Sequence, residues 1–247
     1  MCDSNGPRGH GWRGWIPLPS DEPAAQRCGP WVDLSHALGP DVPRASVFPQ
    51  PTFQRIKSLP QDPLNVTEMR MVVHIGTHVD APRHFFNDGP AFHEIPLERL
   101  SGPGVVLRVR RGVGEQITPA DLEQAQGEVR PGDIVALATG WGPLARTHDY
   151  HDHPYLSPAA AQWLVDRRVK LLACDLPTPD MPVGRRPADY DWPAHHILLG
   201  NGVLVAENIT GLDALAGQRL EFVFSALNIE ASDGAPARVM ARPVTPL

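Results

Sequence analysis

The chain has 247 residues, a formal net charge of −6 and 42% hydrophobic residues, with acidic and basic side chains interspersed. This length and composition allow one domain with a full hydrophobic core. Because no long run of Lys or Arg is present, nucleic acid and acidic membrane surfaces are excluded as expected partners. We therefore expect a small-molecule substrate, no nucleic-acid partner and no membrane partner.

The cysteines and the hydropathy pattern indicate the compartment. Cys2, Cys28 and Cys174 form no C-x-x-C pair, and their odd number cannot close a disulfide framework. No apolar run approaches the roughly 20 residues that cross a bilayer, and no signal peptide is visible. We expect a cytoplasmic protein.

The domain organisation follows from a change in composition near residue 30. Residues 1–29 are rich in Gly, Pro and polar residues, with too little apolar surface to offset the entropy of ordering. We predict a flexible N-terminal extension over residues 1–29 and one domain over residues 30–247. Residues 40–66 are proline-rich and are predicted to form a long loop of functional significance.

Short strands then alternate with a few helices. Thr118-Pro119 and Ser157-Pro158 each place a capping hydroxyl before a proline at the first helical position. The β-rich runs are predicted as strands at residues 105–109, 134–138, 169–173, 203–207 and 222–229. The pattern is typical of an α/β fold with many strands and few helices.

The segment from His74 to His84 reads H-I-G-T-H-V-D-A-P-R-H and is predicted to carry the chemistry. Residues 71–75 favour a strand, in which alternate side chains share a face. His74, His78 and Asp80 would then lie together, and Gly76 between the two histidines would leave room for an ion.

Two imidazoles and a carboxylate predict a metal site, and His84 is a candidate acid or base. Pro82 is expected to end the strand, so that His84 faces the substrate instead of the metal. A ligand trio beside a spare base suits metal-assisted hydrolysis. The same ligand types also suit an open-site Fe(II) oxygenase, so the residues alone leave the metal and the reaction open.

The segment resembles the H-x-G-T-H-x-D-x-P-x-H signature of the metal-dependent cyclase-like hydrolases, the family that contains bacterial kynurenine formamidase and isatin hydrolase. The resemblance extends over roughly residues 31–242. The segments that carry it are 33–36, 132–135, 139–141, 156–158, 169–175, 195–199, 207–209 and 233–234. It implies a swivelling β/β/α cyclase-like domain with a mixed central sheet or barrel-like β core, assembled as a homodimer or homotetramer.

The resemblance also implies roles for particular residues. His74, His78 and Asp80 would bind the first metal and His84 would be the catalytic acid/base, while His195 and Glu207 fall at the positions of second-metal ligands. The implied cofactor is one or two Zn²⁺ ions, with Mn²⁺ as the alternative.

The implied activity is hydrolysis of an amide C–N bond, with an aryl formamide such as N-formylkynurenine as the expected substrate. Phe48, before Pro49, stands where formamidases carry an aromatic residue and is the candidate substrate-binding residue. The alternative is hydrolysis of a cyclic amide or lactone, as in isatin hydrolase, or a cyclase acting on a related small carbonyl compound. A catalytically silent binding module is a further alternative.

A second group of candidate ligands lies outside the motif. It comprises His148, Asp149, His151, Asp152 and His153. The group lacks flanking apolar residues, so we predict a solvated loop there.

Overall fold

The computed structural model describes residues 28–244. The strands are β1 (Val32–Asp33), β2 (Thr52–Lys57), β3 (Val66–Arg70), β4 (His78–Asp80), β5 (Ser101–Arg108), β6 (Gln116–Ile117), β7 (Ile134–Ala138), β8 (Tyr155–Leu156), β9 (Leu171–Cys174), β10 (Leu204–Glu207), β11 (Arg219–Ala226) and β12 (Gly234–Pro243). The helices are α1 (Pro119–Gln124), α2 (Pro158–Asp166) and α3 (Pro193–Gly200).

Seven strands form a closed, barrel-like ring in the order β12, β11, β5, β7, β9, β10, β4. The ring closes because the three-residue strand β4 pairs with β10 and also with β12, antiparallel in both cases. The pairs β5–β7, β7–β9 and β9–β10 are parallel, whereas the pairs β5–β11 and β11–β12 are antiparallel. The predicted α/β fold with a mixed, barrel-like β core and few helices is confirmed.

The core consists of two clusters of buried residues, one on each face of the central strand β7. Ile134 and Ala136 belong to a cluster that draws on all seven ring strands and fills the ring. Val135 and Leu137 belong to a second cluster, where they meet residues of the three helices. Because side chains alternate along a strand, a strand buried on both faces is apolar throughout, as β7 is.

The predicted helix starts at α1 and α2 are confirmed. The Ser157 hydroxyl accepts a hydrogen bond from the Ala160 N–H at 3.1 Å, and the Asp121 carboxylate accepts one from the Thr118 N–H at 2.8 Å. Pro119 and Pro158 occupy the first helical turn in both cases.

Three features differ from the sequence prediction. Residues 40–66 are not one loop, since they contain β2, which pairs with β3 in a hairpin. The exposed side chains of this hairpin give no alternating pattern to detect. Strand β11 begins three residues before the predicted strand, and β12 escaped prediction because Gly234, Pro236 and Pro243 interrupt its apolar pattern.

The predicted extension of residues 1–29 lies outside the described residues except for its last two. Cys28 forms a β-bridge with Val244, and the Gly29 N–H donates to the Pro243 carbonyl at 2.9 Å. Among residues 28–244, no helix combines the length and apolar composition needed to cross a bilayer.

The second group of candidate ligands is not a solvated loop throughout. Residues His148–Asp152 form a 3₁₀ turn that buries Tyr150, and the adjacent His153 is also buried. Burial lowers the pKa of His153 to about 4, so the ring is neutral near neutral pH. Within the described part of the chain, this group is not among the clusters able to hold an ion.

Candidate metal centre

The motif segment reaches its geometry through a turn followed by a short strand. Only His78–Asp80 form β4, and residues 73–77 turn. His78 and Asp80 share a face by strand alternation, as predicted, but His74 joins them through the turn. The predicted strand from residue 71 is therefore wrong, although the three side chains do converge.

Gly76 serves the turn and does not make room for an ion. Its φ of +68° lies in the left-handed region, which favours glycine. A Cβ on Gly76 would lie 2.7 Å from the Val42 Cγ2 atom and 3.0 Å from the Leu38 Cδ2 atom. The glycine therefore allows loop 38–43 to pack against the motif.

Strand pairing and helix α3 bring two distant residues to the motif. In the antiparallel register of β10 and β4, Glu207 is the partner of His78, and the Glu207 Oε2 atom lies 3.4 Å from His78 Nε2. The His195 Nε2 atom lies 3.2 Å from Glu207 Oε1 and 3.4 Å from Asp80 Oδ2. His195 and Glu207 thus meet Asp80, as the family resemblance implied.

The donor atoms form overlapping groups that could hold metal ions. Donor atoms of His74, His78 and Asp80 lie within 4.8 Å of one another, and so do those of Asp80, His195 and Glu207. Asp80 belongs to both groups. The arrangement therefore provides two adjacent positions that share one carboxylate.

Unsatisfied polar atoms indicate that these residues fit a metal. His78 Nε2, Asp80 Oδ2 and His195 Nε2 are buried and have no hydrogen-bond partner. Leaving such groups unpaired costs about 1–3 kcal/mol each, so native proteins rarely do so without a ligand. Imidazole nitrogens and carboxylate oxygens are suitable ligands for Zn²⁺ and similar ions.

Hydrogen bonds to the opposite nitrogens orient both imidazoles. His78 Nδ1 lies 2.8 Å from the Gly76 carbonyl, and His195 Nδ1 lies 2.6 Å from Asp180 Oδ2. Each acceptor requires N–H at Nδ1 and so directs the Nε2 lone pair to the cluster. Asp180 is fully buried, and the sequence analysis missed it because nothing in the local pattern marks it.

His74 and His84 share a second carboxylate, Asp233. The Asp233 Oδ2 atom lies 2.8 Å from His74 Nε2 and 3.5 Å from His84 Nδ1, and the two rings stack at 3.9 Å. A Cβ on Gly234 would lie 2.6 Å from His74 Cε1, so this glycine makes room for the ring. Asp233 and Gly234 were predicted only to belong to a segment that carries the family resemblance, and no role was predicted for either.

The pKa values of His74, His84 and Asp233 are all shifted, and the two histidines shift in opposite directions. Although burial opposes the charge, hydrogen bonds that His74 donates to Asp233 and Asp80 raise the pKa of His74 to about 10, and the bond to Asp233 lowers the pKa of that carboxyl to about 2. Burial lowers the pKa of His84 to about 4. His84 is therefore neutral, and its side chain is 27% exposed against 7% for His74. Of these two histidines, His84 is the one more accessible to a substrate.

The pKa values of the two cluster carboxylates shift in opposite directions. Burial favours the neutral form of Asp80, but the electrostatic effect of His78, the close approach of His195 and the hydrogen bond from His74 hold its pKa well below the ordinary value. Burial and the Asp80 charge raise the pKa of Glu207. Because metal ligation needs ionised carboxylates and neutral imidazoles, an incoming cation releases protons from this cluster.

The aromatic side chain of Phe85, which directly follows the motif, lies next to the cluster. The Phe85 ring stacks on His195 at 4.7 Å and contacts His84 edge to face at 4.8 Å. Phe48, the predicted substrate-binding residue, is half-buried in a bend of the chain. Its own carbonyl accepts a hydrogen bond from the Arg44 guanidinium at 2.8 Å. The described ring contacts to these histidines involve Phe85 and do not include Phe48.

Known proteins share this sequence and fold. The model of the Cyclase family matches residues 32–181. A kynurenine formamidase from Bordetella petrii is 32% identical over 210 residues, which are 83% of this chain and 96% of that protein. The chain therefore belongs to the Cyclase family.

Solved structures agree with this assignment. A potential metal-dependent hydrolase with cyclase activity is 26% identical, with a TM-score of 0.73 over 88% of this chain and 99% of that one. Isatin hydrolase A from Labrenzia aggregata, solved with benzyl benzoate, is 25% identical, with a TM-score of 0.76 over 87% of this chain and 94% of that one. The protein is a metal-dependent hydrolase of a non-peptide amide bond.

The turn at Gly76 can be tested against a second glycine. Gly132 also has a positive φ, +84°, but a Cβ there would meet nothing within 4 Å. Gly132→Ala should lower the free energy of unfolding by about 1 kcal/mol through backbone strain alone. Gly76→Ala should cost roughly 2–4 kcal/mol, because overpacking against Val42 adds to the strain. Urea unfolding of chelator-treated protein measures both, and equal losses would contradict the packing role.

Proposed function

We propose that the cluster binds two divalent metal ions that share Asp80. His74 and His78 would complete the first site, and His195 and Glu207 the second. The observation that carries this proposal is the convergence of two unpaired Nε2 atoms on one carboxylate: that of His78 lies 3.3 Å from Asp80 Oδ1, and that of His195 lies 3.4 Å from the unpaired Asp80 Oδ2. The nitrogen-rich donor set favours Zn²⁺, with Mn²⁺ as the alternative.

Such ions would supply Lewis-acid activation of water and of the substrate carbonyl at neutral pH. We assign proton transfer to His84, which would accept the proton of the attacking water at Nε2. Water adds to the carbonyl carbon, the C–N bond breaks, and the same proton passes to the departing nitrogen. Asp233, 3.5 Å from Nδ1, would stabilise the imidazolium formed in between.

The proposed substrate is an aryl formamide of the N-formylkynurenine type. The 32% identity to a kynurenine formamidase over nearly its whole length supports this choice. The Phe85 ring, in contact with both His84 and His195, offers a face on which an aryl group can stack. The second candidate is a cyclic amide, which the likeness to isatin hydrolase A supports.

The role of His84 is tested by replacing it. His84→Ala should lower kcat/KM by about 10²–10⁴-fold while the metal content per chain stays unchanged. His148→Ala, which removes an exposed histidine outside the site, should leave both quantities unchanged. Loss of metal from His84→Ala would make His84 a ligand, and full activity would remove it from the mechanism.

The substrate class is tested by direct comparison. With purified, metal-loaded enzyme, kcat/KM for N-formylkynurenine should exceed that for isatin by at least about tenfold, because a pocket shaped for an open-chain aryl formamide binds the transition state of a cyclic amide less well. Formate release and ring-opening absorbance measure the two reactions. A preference for isatin would contradict the formamidase proposal and support the cyclic-amide alternative.

A further inference from the structure

Asn208 occupies a special position directly after Glu207. It is buried and has a φ of +55°, which is rare for a residue with a side chain. Strained backbone of this kind persists only when surrounding contacts hold it in place. The contacts of Asn208 lead to the metal-binding turn.

The side chain of Asn208 reaches the carbonyl that orients His78. Its Nδ2 atom donates to the Gly76 carbonyl at 3.0 Å, and His78 Nδ1 donates to the same carbonyl at 2.8 Å. A carbonyl oxygen has two lone pairs and only accepts, so both are used. Asn208 therefore fixes the acceptor that sets the His78 tautomer.

Tyr150 determines which way the Asn208 amide points. The fully buried Tyr150 hydroxyl donates to Asn208 Oδ1 at 3.0 Å. With the amide reversed, the oxygen of Asn208 would face the oxygen of Gly76. Burial raises the pKa of Tyr150 well above its ordinary value, so the hydroxyl keeps its proton.

The backbone of Asn208 makes a second connection to the same turn. The Thr77 hydroxyl donates to the Asn208 carbonyl at 2.7 Å and accepts from the His36 N–H at 2.9 Å. Asn208 thus holds Gly76 through its side chain and Thr77 through its main chain. Residues on either side of this turn, His74 and His78, belong to the first proposed metal site.

We propose that Asn208 is a positioning residue that couples the two metal sites, and that the Tyr150 hydroxyl holds its amide in the active orientation. The chain of hydrogen bonds from Tyr150 through Asn208 to Gly76 ends at His78, while Asn208 is bonded covalently to Glu207. Neither side chain belongs to the groups of candidate metal ligands found among the described residues. This inference rests on the proposed metal centre, in which His78 and Glu207 are ligands.

The test measures the Zn²⁺ affinity of the full chain by competition with a chromogenic chelator. Asn208→Gly suits the left-handed φ but removes the amide, and it should weaken Zn²⁺ binding by about 10–100-fold, as loss of a partner behind a metal ligand does. Tyr150→Phe removes one hydroxyl and should weaken it roughly threefold to tenfold. In the Co²⁺-loaded protein both changes should shift the visible absorption bands, which report ligand geometry.

Controls separate positioning from general stability. Ser157→Ala removes the cap of α2, where the hydroxyl bonds the Ala160 N–H and none of the candidate metal ligands, and it should lower the unfolding midpoint without changing Zn²⁺ affinity or the Co²⁺ bands. Unchanged affinity and bands in Asn208→Gly and Tyr150→Phe would overturn the inference, and so would changes no larger than those in Ser157→Ala. His78→Ala should lose metal. If it does not, the proposed centre itself fails.

Discussion

The site depends on keeping one ionised carboxylate, Asp80, buried in the wall of the ring. A buried charge without partners is far too costly to keep, and the usual result is protonation. Here three imidazoles surround Asp80 at 2.7–3.4 Å and hold its pKa well below the ordinary value. A cation shared across Asp80 would take over this compensation, because the imidazoles would then bind it as neutral ligands through their ring nitrogens.

The fold places Asp80 where several elements meet. Strand β4 closes the ring between β10 and β12, so that Glu207 comes from one neighbour and Asp233-Gly234 lead into the other. Helix α3 adds His195 from above the sheet. A three-residue strand is a weak element alone, but pairing on both edges makes it rigid and fixes the ligands with it.

The imidazoles of His78 and His195 differ in the group that accepts the hydrogen bond from Nδ1. His78 donates to a backbone carbonyl, whereas His195 donates to the buried carboxylate of Asp180. A carboxylate partner makes an imidazole more basic than a carbonyl does. The two proposed metal positions would therefore differ in donor strength even though they would share Asp80.

Much of the fold could be predicted from local sequence patterns, because helix caps and apolar runs each involve only a few neighbouring residues. Strand β7 and the starts of α1 and α2 are of this kind. The candidate ligands of the motif could be predicted too. The prediction of an extended strand was wrong, because the left-handed turn at Gly76 depends on packing against Val42. Phe48 is absent from the ring contacts described for His84 and His195, and its role in substrate binding stays a prediction.

Residues that act from far along the chain could not be found by local reasoning. Asp180 and Asn208 become visible only when the hydrogen-bond partners of the imidazoles are traced. His195 and Glu207 were predicted only through the family resemblance, since their meeting with Asp80 depends on strand register and helix placement.

The central claim is that Asp80 is shared by two metal ions. Anomalous diffraction from a Zn²⁺-loaded crystal, collected on both sides of the zinc absorption edge, tests it most directly. Two peaks should flank Asp80, one beside His74 and His78 and the other beside His195 and Glu207. A single peak not touching Asp80, or one centred between His84 and Asp233, would contradict the account.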